Sequence, residues 1–209
     1  MTWLVRKDFE SPQDFHTVWQ AMRDHVDLPQ TVREKDEVWL LEHSPVYTLG
    51  QAGKTEHVLN PGKIPLVKTD RGGQVTYHGP GQLVAYCLFD IKRQGIGVKT
   101  LVCKLETALM DALSDYGISS HLKDGAPGVY VNDKKIASLG LRLRRGVSYH
   151  GLSLNVDMDL SPFQGINPCG FAGMQMTQLK DFVPTITLET VKNDFMRHLV
   201  RVFDYEGVQ

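Results

Sequence analysis

The chain has 209 residues, 42% of them hydrophobic, enough for one large domain with a full core. With 23 basic against 24 acidic side chains the net charge is −1, which gives no bulk electrostatic case for a nucleic-acid or membrane-surface binder. The longest apolar run, residues 83–89, is far shorter than a membrane span, and the three cysteines lie too far apart to read as a disulfide framework. The N-terminus MTWLVRKDFE has no long apolar stretch before its charges, so no signal peptide is expected. These features suggest a soluble cytoplasmic protein with reduced thiols.

No repeat, low-complexity tract or Pro/Gly/Ser-rich linker divides the sequence, and one domain over residues 1–209 is expected. Ser11-Pro12 with Asp14 reads as the start of a helix, with Phe15, Val18, Trp19, Met22 and Val26 on one face. Residues 37–42 (EVWLLE) read as a strand running into His43-Ser44-Pro45. Further strands are predicted at residues 74–77 and 83–91. A second helix is predicted from Thr100, its apolar arc formed by Leu101, Leu105, Ala108, Leu109, Ala112 and Tyr116. Asn132-Asp133 reads as a two-residue hairpin loop between residues 129–131 and 134–144, and Arg145-Gly146 turns the chain into a strand over 147–156. Thr187 caps a last helix. Helices mixed with antiparallel hairpins favour an α+β fold, a mixed or antiparallel sheet flanked by helices.

Residues 71–81, RGGQVTYHGPG, are the most concentrated chemical signal. Gly72-Gly73 suits a turn whose amides face a bound group, and His78 stands at a strand end before the stiff Gly79-Pro80-Gly81 turn. By itself the segment is equally an ordinary tight loop with a surface histidine. Strand alternation places Lys135 with Ala137, Leu139, Leu141 and Leu143, where desolvation would favour the neutral amine. The alternative is a strand-end lysine that reaches water. The same alternation places His150 with Leu152, Leu154 and Val156, either as a site residue or as a satisfied core histidine.

Cys169 lies in INPCGFAGM, where Asn167-Pro168 and Gly170 suit a constrained turn with amides near the sulfur. Lone cysteines are more often inert core residues, and Cys87, mid-strand, reads that way. Cys103 falls opposite the apolar arc of its helix with no base beside it. If one thiol is a nucleophile, it is Cys169. The eight histidines and three cysteines show no metal-ligand spacing, and no phosphate-binding GxxxxGK[ST] occurs. Arg142, Arg144 and Arg145 suit a solvated strand face that can also receive an acidic partner.

Taken together, EHSPVYTLG from Glu42, RGGQVTYHGPGQ from Arg71, GAPGVYV from Gly125, KKIASLGLRLRRG from Lys134, YHGLSLNV from Tyr149 and NPCGFAGM from Asn167 resemble the lipoyl(octanoyl) transferases. The motifs occupy residues 42–174 in the family's order; each is weak alone and the ordered set is specific. The resemblance implies a fold related to the biotin and lipoate protein ligases. It implies Cys169 as acyl-thioester nucleophile and Lys135 as the lysine that activates it. It further implies an acyl pocket formed by Arg71, Gly72, Gly73, Gln74, Val75, Thr76, Tyr77 and His78, by Ser138, Leu139 and Gly140, and by Gly151, Leu152 and Ser153. His78 and His150 are expected as polar positioners. The implied donor is octanoyl-acyl carrier protein, whose phosphopantetheine arm carries the acyl group. The implied acceptors are lipoyl domains of the 2-oxo acid dehydrogenase complexes and the glycine-cleavage carrier protein. Neither ATP nor a metal is expected, nor a nucleic-acid or membrane partner. The competing readings are an ATP-dependent lipoate or biotin ligase of the same fold and a non-catalytic carrier-protein-binding module.

Overall fold

The computed structural model describes residues 3–10 and 12–209, Cys169 by its backbone alone. In chain order the elements are β1 (Leu4–Asp8), α1 (Phe15–Asp27), β2 (Asp36–Leu41), β3 (Val46–Leu49), β4 (Leu66–Lys68), β5 (Val75–His78) and β6 (Gln82–Leu88). There follow α2 (Val98–Asp115), β7 (His121–Leu122), β8 (Val129–Val131), β9 (Lys134–Arg144), β10 (Val147–Asn155) and α3 (Leu188–Phe203). The large sheet runs β1-β2-β6-β10-β9-β8-β7, parallel only between β1 and β2. A small sheet, β4-β3-β5, stands apart from it. The architecture is mixed α+β, as the sequence predicts.

Alternation explains the layering. Val38, Leu40, Leu83, Ala85, Cys87, Leu152 and Leu154 face one way and pack with the apolar arcs of α2 and α3. Trp39, Leu41, Val84, Tyr86 and Leu88 face the other way and pack with Val18, Met22 and Val26 of α1. Central strands buried on both faces need apolar residues at every position, which is why β6 reads LVAYCL without alternation.

Asp14 rather than Ser11-Pro12 starts α1: its Oδ1 accepts from the Thr17 amide and hydroxyl, both at 2.9 Å. Ser11 lies outside the described residues. Thr187 caps α3 by accepting from the Thr190 amide at 3.2 Å. α2 starts at Val98, after Gly97, two residues before the expected Thr100. The hairpin turn at Asn132 (φ 46°) and Asp133 (φ 64°) has positive φ at both central residues, the geometry a two-residue loop needs to match strand twist.

Two expectations from strand alternation are overturned. β8 pairs Tyr130 with Lys135 but Val129 with Ala137, so one step on β8 spans two on β9 and Ile136 is the extra residue. Cross-strand partners share a face, and Tyr130 and Val129 point to opposite faces. Lys135 therefore faces away from Ala137 and Leu139. His150 has φ 56°, a left-handed backbone unusual for a residue with a side chain. That turn takes the imidazole off the face of Leu152 and Leu154 and sets it against Tyr86 and Tyr149.

Candidate active site

A cavity enclosing about 520 Å³, its mouth included, lies between β5, β6, β9 and β10 beneath α1. Arg71, Gly73, Gln74, Val75, Thr76 and His78 line one side, and Ser138, Leu139, Gly140, Gly151, Leu152 and Ser153 the other. Phe15, Val84, Tyr86 and His150 complete it. The three sequence segments proposed for an acyl pocket thus meet around one space. Gly72 and Tyr77 do not line it. Gly72 faces an adjoining outer groove, and Tyr77 packs 5.6 Å from the Tyr47 ring and 5.5 Å from that of Phe163.

Arg71 braces the loop that enters β5. Its guanidinium donates to Thr48 O at 2.6 Å, Gly72 O at 2.8 Å and Gln74 O at 2.8 Å, fixing the backbone that lines the cavity. The Gly72 amide donates to Leu141 O at 2.9 Å, which joins this loop to the edge of β9.

Two buried histidines, His78 and His150, line the cavity, and a third, His43, packs 5.9 Å from the His78 ring. His43 donates from Nδ1 to Gln13 O at 3.1 Å, leaving Nε2 to accept from Tyr86 OH at 2.6 Å. Burial pushes His43 down to about 4. His78 donates from Nδ1 to Gln82 Oε1 at 2.7 Å; burial, reinforced by His43, pushes it down to about 3. Gln82 passes the chain on to Asn155, which donates to Thr177 O at 3.0 Å, and the Thr177 amide donates to Lys135 O. A continuous run of buried hydrogen bonds therefore connects His78 to the backbone of Lys135.

His150 Nε2 lies 2.8 Å from Asp70 Oδ1. Burial lowers the pKa of His150, a fall that Asp70 opposes. Burial favours protonation of Asp70, but hydrogen bonds from His150, Tyr149 and Trp19 outweigh it and hold the carboxyl well below the usual range. Nε2 is then the donor, and Nδ1 keeps a buried lone pair that no described protein group bonds.

Lys135 is fully buried. Its Nζ donates to Pro127 O at 2.6 Å and lies 5.5 Å from the centre of the Tyr130 ring. Tyr130 OH donates to Ala126 O at 2.9 Å, and the Gly128 amide donates to the carboxyl of Glu106 on α2. Burial pushes Glu106 up, while Gly128 and the charge of Lys135 pull it down. The loop 126–128 is thus clamped over the Lys135 amino group.

Cys169 sits in a short 3-10 turn, Pro168–Gly170. Its thiol lies outside the described atoms, so the Lys135–Cys169 pairing stays an expectation. The turn adjoins the cavity: a Cβ built on Gly170 would lie 3.5 Å from Gln74 Cγ. Phe171 shares the outer groove with Gly73, Gln74, Leu139 and Gly140, which also line the cavity. Cys87 is buried, its thiol pushed up by burial, whereas Cys103 is exposed.

Comparison with known proteins accords with this geometry. The lipoyl protein ligase A/B catalytic domain model matches residues 17–200. An octanoyltransferase of Legionella pneumophila (strain Lens) is 56% identical, over 91% of this chain and 96% of its own. The chain belongs to the octanoyltransferases of this catalytic-domain family. Among solved structures, the bipartite lipoate protein ligase of Thermoplasma acidophilum superposes with a TM-score of 0.72 at 15% identity, covering all of this chain and 87% of that one. The biotin protein ligase of Aquifex aeolicus gives 0.57 at 14%, covering 98% and 70%. The octanoyltransferase chain therefore shares its fold with both ligase types.

Sequence reading missed Phe15, Val84, Tyr86, His43, Asp70 and Glu106 as members or supports of this site. The first three look like ordinary core residues. Asp70, directly before Arg71-Gly72-Gly73, was the one with a visible signal: an acid flanking the densest motif of the chain.

Among the described residues no cluster of His, Cys, Asp and Glu could hold a metal ion, and no helix is long and apolar enough to cross a membrane.

Proposed function

We propose that this chain moves an octanoyl group from the phosphopantetheine thiol of acyl carrier protein to a lysine of apo lipoyl domains, in the cytoplasm. The acceptors are those of the 2-oxo acid dehydrogenase complexes and the glycine-cleavage carrier protein. The observation that carries this reading is the cavity of largely apolar lining whose mouth adjoins the turn bearing Cys169. Relatives named octanoyltransferase support the acyl group assigned to it.

In the first step the Cys169 thiolate attacks the thioester carbonyl, a new C–S bond forms, and the carrier's C–S bond breaks to release its thiol. In the second, the acceptor amine attacks octanoyl-Cys169, giving the amide and regenerating the cysteine. Thioester to thioester is nearly isoenergetic and thioester to amide is downhill, so neither step draws on ATP. Lys135 accepts the Cys169 proton and steadies the thiolate as ammonium, passes that proton to the departing carrier thiolate, and, neutral again, takes a proton from the incoming amine. Its clamp of Pro127, Tyr130 and Glu106 supports a lysine held in one position.

An oxyanion needs a fixed amide donor. Leu141 O bonds Gly72 on the edge of β9 away from β10, and alternation puts the Leu139 amide on that same edge at the cavity mouth. We assign Leu139 N–H as one such donor, with the amide of Cys169 as the other to examine; the Gly140 amide faces β10 and the Gly170 amide donates to Asn167 O at 3.0 Å.

Intact mass after mixing with octanoyl-acyl carrier protein, without ATP, tests the reading. An adduct of about 126 Da, absent from Cys169→Ser, is the expected result for a covalent acyl-enzyme. A protein that stays at its own mass yet needs ATP to modify a lipoyl domain would be a ligase instead.

A further inference from the structure

The cavity has two unlike ends. At one, Gly73, Gln74, Leu139 and Gly140 also line the outer groove, so the space opens there beside the Cys169 turn. The sheet order β6-β10-β9 puts Val84 and Tyr86 on the side away from that opening, and Phe15, His78 and His150, which also line the cavity, are nearly inaccessible to solvent. We infer that this closed end sets the length of the acyl chain, with the rings of Phe15 and His150 as the stop. The inference deepens the acyl-transfer reading and rests on it for the identity of the occupant.

What distinguishes a stop from a soft apolar wall is that its rings cannot turn aside. The Phe15 ring lies nearly parallel to His78 (8°) at 6.5 Å, stands 5.3 Å from His43, and packs with Val46 and Val67. The His150 imidazole stacks on Tyr149 at 5.0 Å and meets Tyr86 edge-on at 6.0 Å. Its Nε2 is tied to Asp70, which also accepts from Tyr149 OH at 2.5 Å and Trp19 Nε1 at 2.9 Å. Trp19 lies on α1 one turn beyond Phe15, so both rings of the stop are held from the same helix. The imidazole also presents an unbonded buried Nδ1. A chain too long for the space would have to press methylenes onto that polar atom or leave them outside the cavity.

Each methylene buried short of the stop should raise affinity about fourfold, and each one beyond it should add nothing. Binding of hexanoic, octanoic, decanoic and dodecanoic acids to the intact protein, read by calorimetry, measures this without any transfer step. In the wild type, affinity should climb to one length and then level or fall. Phe15→Ala should extend the climb by about two carbons, raising the affinity for the next longer acid relative to the wild-type optimum by roughly fifteenfold. Phe15→Leu, which keeps an apolar side chain against Val46 and Val67, should do so more weakly if the alanine variant folds poorly. Phe15→Trp should move the optimum to a shorter acid.

A profile unchanged in the folded Phe15 variants overturns the stop. So does a wild-type affinity that climbs through dodecanoic acid, or no binding at any length. If the binding profile shifts as expected but the wild type transfers no acyl group from any acyl-carrier thioester, the stop stands and the acyl-transfer reading falls.

Discussion

Asp70 holds His150 by a 2.8 Å contact between Oδ1 and Nε2, and both belong to a part-buried network that includes Tyr149 and Trp19. His150 has a left-handed backbone, and the Asp70 carboxylate is the partner of its turned imidazole. Asp70→Asn keeps the shape but exchanges a charged acceptor for a neutral amide. Hydrogen bonds to charged groups contribute about 1.5–3 kcal/mol, so urea unfolding at pH 7 should show a loss of that order. The sign with pH follows from the lowered carboxyl: its stabilisation is complete above the ordinary carboxylate pKa and disappears as pH falls through its lower folded value. The gap between wild type and variant should therefore narrow in acid. A gap that stays constant to the lowest pH at which the protein remains folded would show that the charge of Asp70 contributes nothing.

His43 and His78 give a second pH dependence, of independent origin. Their folded values, about 4 and about 3, lie below that of an unfolded histidine near 6.5. Between those limits the unfolded chain binds more protons than the folded one, so stability falls as pH drops. It is fully present above about pH 6.5 and lost progressively toward pH 4 and below. Two such groups give a limiting slope of about 2.7 kcal/mol per pH unit. His43→Gln should be less stable at pH 7 but show roughly half that slope. Urea titrations at intervals from pH 7 to pH 4.5 would reveal it. A wild type with flat stability across this range would mean that the fold holds neither imidazole neutral.

The basic edge of β9 is more tightly engaged than the sequence suggests. Arg144 and Arg145 both reach Asp27, at 3.0 and 3.5 Å, and Arg142 donates to Gln51 at 2.6 Å. If this edge docks acyl carrier protein, an acidic partner in the resembling family, Asp27 competes for the same charges. Asp27→Ala should lower the apparent KM for octanoyl-acyl carrier protein, and Arg144→Glu with Arg145→Glu should raise it, more at low salt than at high. Octanoyl-CoA, which lacks the carrier protein, should be little affected. Equal changes with both donors would assign the cluster to the fold or to the chemistry.

The hairpin of β8 and β9 was legible because Asn132-Asp133 is among the few pairs that accept positive φ at both positions. The helices were legible from their apolar arcs. Alternation failed at two places in the very strands it described. The bulge at Ile136 carries no glycine to mark it, and the turn at His150 puts a bulky residue where glycine is expected. Burial of Lys135 was anticipated, but for the wrong face. The short strands β3 and β4, like the contact between Asp70 and His150 eighty positions apart, depend on tertiary pairing that no local pattern records. Such local departures concentrate where function constrains the backbone, and the one at His150 lies in the cavity lining.

Lys135 offers the sharpest test, because its environment is now specific. The loop 126–128 lies so close that a Cβ on Gly128 would fall 2.4 Å from Lys135 Cε and 2.4 Å from Ala137 O, at φ 135°, where side chains are rarely tolerated. Gly128→Ala should therefore displace the lysine or the loop, costing stability as well as transfer. Lys135→Met removes the charge while keeping the bulk of the stem, so secondary structure should persist although Pro127 O loses a donor. If the ammonium supports a Cys169 thiolate, alkylation of Cys169 should begin at lower pH in the wild type than in Lys135→Met. Octanoyl transfer by the methionine variant should fall with it, by two orders of magnitude or more, as expected for loss of a general base. Iodoacetamide labelling across pH, followed by peptide mass at Cys169, reads the first quantity, and modification of an apo lipoyl domain reads the second. Coincident alkylation profiles with transfer intact would reduce Lys135 to a buried structural lysine whose ammonium serves only the loop above it.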